Sequence, residues 1–482
     1  MAAGPVLDVQ ACELEPIHQP GCIQPHGLLL VVDQQTDRIL QTAGVTALLV
    51  APDKCVAGNT VRQALGVSLA ALLERSGAAL LREPIYLGTV NPSGDCELTL
   101  TAHLVQGVVV VEAKPATDSI SAATALAGLR SITEHFEEAP DLVRTCELAA
   151  REVKRITGYD RVMIYRFLPD GSGSVIAEVK DNHLPPFLNH HFPASDIPKQ
   201  ALELYRRSSI RLIPDVGYIP APLVPATVPG RPQPLDMSHC ALRSVSPVHI
   251  QYLKNMSVGA SMSVSLLPAG NLWGLIACHN STAKLVPYEA REICRQVGQI
   301  LSQQIRAREE SDSFGLAREL GAARDKVMRA LVDAADPGSA LLGHCRDIKA
   351  FVRSHGAAVF RAGSLATAGR CPAAPQLRDL LAWLDDRMGV DNFFETDRLS
   401  QLYPEAASFA AEASGVLSVR LPGEVQGILA WFRAEHVQEI DWAGNPHEQM
   451  GPDSRLGVLN PRESFATWRE TVRGRSRPWK KI

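Results

Sequence analysis

Residues 288–335 constrain this fold more than any other segment. Ile293, Val297, Ile300, Leu301 and Ile305 fall at helical spacing, Pro287 suits a first turn, and Asp336-Pro337-Gly338 forms a stop. A single helix over this span would be roughly 70 Å long at the standard rise per residue. That exceeds an ordinary globular helix, so a continuous helix would link domains and pair two copies of the chain. Two helices broken near residues 311–315 are the alternative. At 482 residues the chain has room for about three domains.

The rest reads as α+β. Residues 17–118 alternate strand runs (28–32, 98–104, 107–112) with helical stretches such as 68–75, as expected of a small domain with an antiparallel sheet. A polar stretch at 113–121 marks a boundary. A helix over 142–156 stops at Gly158, a strand follows over 161–167, and strands 260–267 and 272–279 join through Pro268-Ala269-Gly270. Ser263-Val264-Ser265 before Trp273-Gly274-Leu275 resembles Ser418-Val419-Arg420 before Gly427-Ile428-Leu429, which suggests two later domains of related topology. Residues 217–240, with six prolines, and 436–480 read as long ordered loops, which usually carry function.

Composition excludes several classes. A net charge of −4 with mixed signs gives no reason to expect nucleic acid or an anionic membrane. The apolar runs fall far short of the roughly 20 residues of a membrane span. Ten scattered cysteines without a CxxC pair fit reduced thiols better than disulfides or a zinc site, and no metal centre is expected. With no charged-then-apolar leader, the expected location is the cytoplasm. Cys12 stands apart: it lies in an extended, proline-interrupted tail rather than a periodic apolar segment, well placed to reach and bond to another part of the molecule.

Five motifs occur in order: ACELEPIHQPGCIQPHG, FPASDIPKQALELY, LRSVSPVHIQYLKNM, LWGLIACHN and PRESF. Together they resemble the photosensory module of bacterial phytochromes, over essentially the whole chain. The resemblance implies a tail over 1–16 carrying the pigment cysteine, a PAS domain over 17–118, a GAF domain over 119–305, and a PHY domain over 306–482 with a tongue over about 436–480. It also implies a figure-of-eight knot, the tail threading a lasso at 217–240, which the spacing alone would never predict.

The implied cofactor is biliverdin, a linear tetrapyrrole, joined to Cys12 by a thioether. Cys22 is a bystander that could take a secondary linkage. Plant and cyanobacterial members use a cysteine immediately before the pocket histidine; here Val248 stands there, and Cys240 is eight residues too early to replace it. By the same resemblance Arg211 and Arg243 bind the propionates, the guanidinium fork matching a carboxylate. Ser261 and Ser263 share one face of a strand and assist. Asp196 offers its backbone carbonyl to the pyrrole N–H groups, His249 supports the same nitrogens, and His279 holds the ring-D carbonyl. Tyr165, Phe192, Tyr205 and Tyr252 line the space around ring D. Alone, each histidine would be an ordinary buried polar residue and the aromatics ordinary core. His190 and His191 match no role.

The signalling residues implied are Asp196, Trp442, Arg462 and Ser464. Arg462 pairs with Asp196 in one light state, and Ser464 takes the aspartate in the other as the tongue turns from strand to helix. One departure stands out: Phe432-Arg433-Ala434-Glu435 replaces the family's usual Phe-Arg-Pro-Glu. The resemblance further implies a red/far-red photoreceptor that dimerises through the long helix, has no catalytic site in this chain, and works with an output histidine kinase and response regulator. The competing classes are a GAF-type regulatory protein binding a small ligand, which would need neither Cys12 nor the PRESF segment, and a bilin-modifying enzyme, for which no catalytic constellation appears.

Overall fold

The computed structural model describes residues 15–44, 53–77, 83–116 except 93 and 95, 121–421 except 229, 232 and 335, 427–447, 451–452, 459–460, 462 and 464–479. The chain forms two compact units, Met1–Arg306 with Asp441–Trp468, and Ala307–Ile440 with Arg469–Ile482.

The first unit opens with β1 (Cys22–Ile23), β2 (Leu28–Val32), β3 (Ile39–Ala43), α1 (Val61–Leu65), α2 (Leu69–Ser76), β4 (Ile85–Val90), β5 (Leu98–Val105) and β6 (Val108–Pro115). The sheet order is β3-β2-β6-β5-β4, all antiparallel. Thr60 and Ser68 cap the two helices, Thr60 in a reciprocal box with Gln63. β2 and the Val108–Val111 half of β6 are apolar because both faces are covered. Leu28, Leu30, Val109 and Val111 meet the helices, while Leu29, Val31, Val108 and Val110 pack on Leu223, Leu235 and Met237 of the proline-rich segment and on Leu242 just after it.

Next come α3 (Ala122–Glu138), α4 (Leu142–Thr157), β7 (Arg161–Phe167), β8 (Gly173–Lys180), β9 (His191–Phe192), α5 (Lys199–Arg207), β10 (Ile210–Ile213), β11 (Ala221–Pro222), α6 (Pro247–Asn255), β12 (Ala260–Leu266), β13 (Gly274–Asn280) and α7 (Tyr288–Val332). Asp141 caps α4, and Gly158 ends it in the left-handed conformation at φ 63°. β10-β12-β13-β7-β8 form the antiparallel core of the second sheet, which continues beyond β8 through β9, and β11 pairs with β1. One face packs Leu212, Met262, Val264, Ile276 and Cys278 against Cys146, Ala149 and Val153 of α4 and Cys294, Val297 and Leu301 of α7. α7 runs unbroken through 311–315, so the single-helix reading holds; Gly315 costs a helix only about 1 kcal/mol.

The second unit contains α8 (Pro337–Gly343), α9 (Cys345–Ala350), β14 (Gly356–Arg361), β15 (Ser364–Gly369), α10 (Ala374–Arg387), β16 (Phe393–Thr396), α11 (Leu399–Leu402), β17 (Gly415–Arg420) and β18 (Gly427–Arg433). Its sheet order is β15-β14-β18-β17-β16. Numbering the five core strands of each sheet by sequence, all three read 2-1-5-4-3, so the repeat read from two hairpins extends to a third domain. At the departure from Phe-Arg-Pro-Glu, the backbone N–H of Ala434 donates to His355 Nδ1 at 2.9 Å, a bond that proline could not make. β19 (Gln438–Ala443), β20 (Gly451–Pro452), β21 (Leu459–Asn460) and β22 (Thr467–Val472) complete the chain. Among the described residues no helix is long and apolar enough to cross a membrane, and no three His, Cys, Asp or Glu are placed to hold a metal ion.

Candidate functional site

A cavity of about 600 Å³ opens in the first unit on the face of the second sheet opposite α4 and α7. Alternation along the strands builds it. Leu212 and Met262 point to the core, so their neighbours Arg211, Ser261 and Ser263 point to the cavity. Asp196, Tyr205, Arg243, His249, Tyr252, Arg462 and Val248 complete the part of the lining that matters chemically. Cys12 lies outside the described residues.

Arg211 is held from three sides. Its Nε donates to Ser263 Oγ at 2.9 Å, its Nη1 to Ser265 Oγ at 2.9 Å and to the Ser208 carbonyl, and its guanidinium lies 4.1 Å from the centre of the Tyr205 ring. Nη2 is buried without a partner. Arg243 donates from Nη1 to the Ile17 carbonyl and leaves Nε unpaired. Among the described residues neither pairs with a carboxylate. Burial lowers both pKa values, Arg211 to about 10 with Arg243 nearby contributing, yet both stay cationic at neutral pH.

His249 stacks on Tyr252, their rings 12° from parallel, and burial with the Arg211 charge takes its pKa to about 4. His279 pairs across the sheet with Ser261. Burial first, then Arg161 and His249, take its pKa to about 3, and its Nδ1 is a buried atom without a partner. Both rings are therefore neutral at pH 7. His279 is not among the residues lining the cavity itself.

Asp196 closes one end. Arg462 grips it with two nitrogens, Nε to Oδ1 at 3.1 Å and Nη2 to Oδ2, and Tyr252 donates its hydroxyl to Oδ2 at 2.9 Å. Both charged side chains are 3% exposed. Burial raises the Asp196 pKa in spite of the arginine, so desolvation outweighs the pairing. Arg462 also donates to the Ala443 carbonyl, and Asn255 Nδ2 donates to the Arg462 carbonyl at 3.0 Å. Ser464 is exposed.

Tyr165, Phe192 and Tyr205 sit in one apolar cluster with Met163, Phe187, Ala443 and Phe465. Tyr165 meets Phe192 edge-on at 5.8 Å and lies over Gly173, where a Cβ would come within 1.9 Å of its ring. Trp442 pairs with His191 in a parallel ladder and faces its ring at 5.7 Å. His190, assigned no role from sequence, bonds through Nε2 to Thr467 Oγ1 at 2.8 Å. Two residues on the arginines escaped the sequence reading. Ser265 repeats the Ser261–Ser263 spacing and could have been found from it. Gln24 Nε2 donates to both the Leu212 and Arg243 carbonyls, and no local signal marks it.

Comparison with known proteins now gives this architecture its class. Residues 12–116 match the PAS fold, 141–306 the GAF domain and 320–482 the phytochrome region, making the chain a PAS–GAF–PHY photosensory module. It is 36% identical to cyanobacterial phytochrome B of Nostoc, over 98% of this chain and 64% of that protein. It is 34% identical to a bacteriophytochrome of Xanthomonas campestris, over 98% of this chain and 76% of that protein. A crystal structure of a bacteriophytochrome from the photosynthetic bacterium R. palustris superposes with a TM-score of 0.82 at 37% identity, covering 98% of this chain and 95% of that one. The chain belongs to the phytochrome family. It spans slightly less than two thirds of the length of the Nostoc relative.

Proposed function

We propose that this chain is the light-sensing part of a red/far-red photoreceptor that holds biliverdin in the cavity of its first unit. One observation carries the reading: Arg211 and Arg243 face a single cavity with unpaired nitrogens and no carboxylate partner among the described residues. An unpaired buried cation costs several kcal/mol, so the site suits a ligand with two carboxylates. Biliverdin carries two propionates, and the volume lies in the range of small-molecule and cofactor sites.

In this reading Arg211, Arg243, Ser261 and Ser263 hold the propionates. The Asp196 carbonyl and His249 face the pyrrole nitrogens, His279 the carbonyl of ring D, and Tyr165, Phe192, Tyr205 and Tyr252 pack around that ring. Cys12 forms the thioether, and Val248 leaves the GAF domain without the competing thiol. When bound, the tetrapyrrole supplies red-light absorption and rotation about the double bond to ring D. The protein's part is to turn that into a change at Asp196. Release of Arg462 frees the tongue from its strand form, and Ser464 becomes the new partner of the aspartate. The tail passes through the 217–240 lasso, α7 pairs two copies in the cytoplasm, and a longer protein carries an output kinase that signals to a response regulator.

Mixing the purified chain with biliverdin tests this. The expected product is a coloured adduct that survives denaturation and adds the mass of one biliverdin, and Cys12→Ser abolishes the covalent link while leaving reversible colour. No binding overturns the proposal; an adduct unaffected by Cys12→Ser overturns the anchor.

A further inference from the structure

Arg243 is presented by a loop, and Arg211 by the edge strand β10. A guanidinium fork pairs with a carboxylate only when its backbone is held, and two forks must also keep their spacing. The β12 ladder holds the Arg211 strand, and side chains of the first domain brace the Arg243 loop and tie it to that strand. Gln24 Nε2 donates to the Leu212 carbonyl at 2.9 Å and the Arg243 carbonyl at 3.1 Å, tying the two arginine-bearing segments together. Two carbonyl acceptors fix the amide orientation, so Oε1 is the atom left buried without a partner. The backbone N–H of Gln24 also donates to the Leu242 carbonyl at 2.8 Å.

Glu112 holds the same loop from the other side. Its Oε1 accepts the Leu242 N–H at 2.6 Å and its Oε2 the Ala241 N–H at 3.1 Å. The side chain lies on the outer face of β6, in line with Val108 and Val110, and the residue is 1% exposed. Apolar packing alone would be served by another valine there. A buried carboxylate is costly unless it satisfies donors, and these two successive N–H groups are what it satisfies. Gly27 completes the fit, since a Cβ there would come within 2.9 Å of the Leu242 side chain.

We propose that Gln24 and Glu112 are positioning residues that set Arg243, and its spacing from Arg211, for the two carboxylates of the ligand. The proposal rests on the biliverdin reading above. It differs from a merely structural role in one respect: the benefit depends on the ligand's charge.

The test uses the full chain with Cys12→Ser, so that binding is reversible, and compares biliverdin with its dimethyl ester. Gln24→Leu and Glu112→Gln should each weaken biliverdin by about tenfold and the ester by less than about twofold, the scale of one lost charge-assisted hydrogen bond. Glu112→Gln should add nothing once Arg243→Ala is present. Equal losses for diacid and ester, or full additivity with Arg243→Ala, overturn the proposal. Should one variant fail to fold, the other carries the same comparison. A parent protein that binds neither ligand would instead overturn the biliverdin reading.

Discussion

The second and third sheets share one strand order in their five core strands, and one of the register positions at which they differ separates a cavity from a core. In the second sheet Arg211 pairs with Ser263, and its guanidinium bonds the serine hydroxyl at the edge of a cavity. In the third sheet the corresponding pair is Phe394 and Ser418. Phe394 meets Trp383 edge-on at 5.6 Å, and Leu377, Leu380, Leu381 and Leu384 of α10 occupy the space above that face. One topology thus yields a pocket where the slot carries a cation and a core where it carries an aromatic ring. Function here resides in the residues placed on the fold rather than in the fold.

The largest expected contrast is with pH. His26, His103, His249 and His279 all lie in the first unit with pKa values lowered by burial to about 3 or 4. A depressed folded value means that the unfolded chain takes up protons first. Stability is therefore intact above about pH 6.5 and lost as pH falls towards the folded values, by up to about 1.4 kcal/mol per pH unit for each group. His355 of the second unit is lowered too but is exposed. Hydrogen exchange at pH 7 and pH 5.5 should show β12 and β13 losing more protection than β17 and β18; equal losses would break the comparison.

Exchanging the slot residues comes next. Phe394→Arg should destabilise the second unit by about 3 kcal/mol through lost packing and an unpaired cation, read by urea unfolding, and leave biliverdin binding intact. Arg211→Met should weaken reversible biliverdin binding about a hundredfold while leaving the ligand-free chain no less stable, since it removes a buried unpaired charge. The smallest effect is Ala434→Pro. Loss of the bond to His355 Nδ1 should cost the second unit about 1 kcal/mol, visible as a lower unfolding midpoint.

Local signals reached the elements well. Gly158 and the Pro268–Gly270 turn sit where spacing and residue type placed them. Motif resemblance named Asp196, Arg211, Arg243, His249, Ser263, Tyr252 and Arg462, and the fold brings these together. Gln24 and Glu112 were not legible, because each acts on backbone atoms more than 100 residues away that only strand register can bring close. The third repeat was hidden for a related reason: strand order survives where sequence similarity does not.

The central claim is that the Arg211 face of the second sheet holds a light-absorbing tetrapyrrole and switches it. Its most direct test is the absorption difference spectrum of the biliverdin-loaded chain after red and then far-red light. The account predicts two bands that interconvert reversibly and a switch much reduced by Arg211→Met. A bound pigment whose spectrum is unchanged by either colour of light would contradict it.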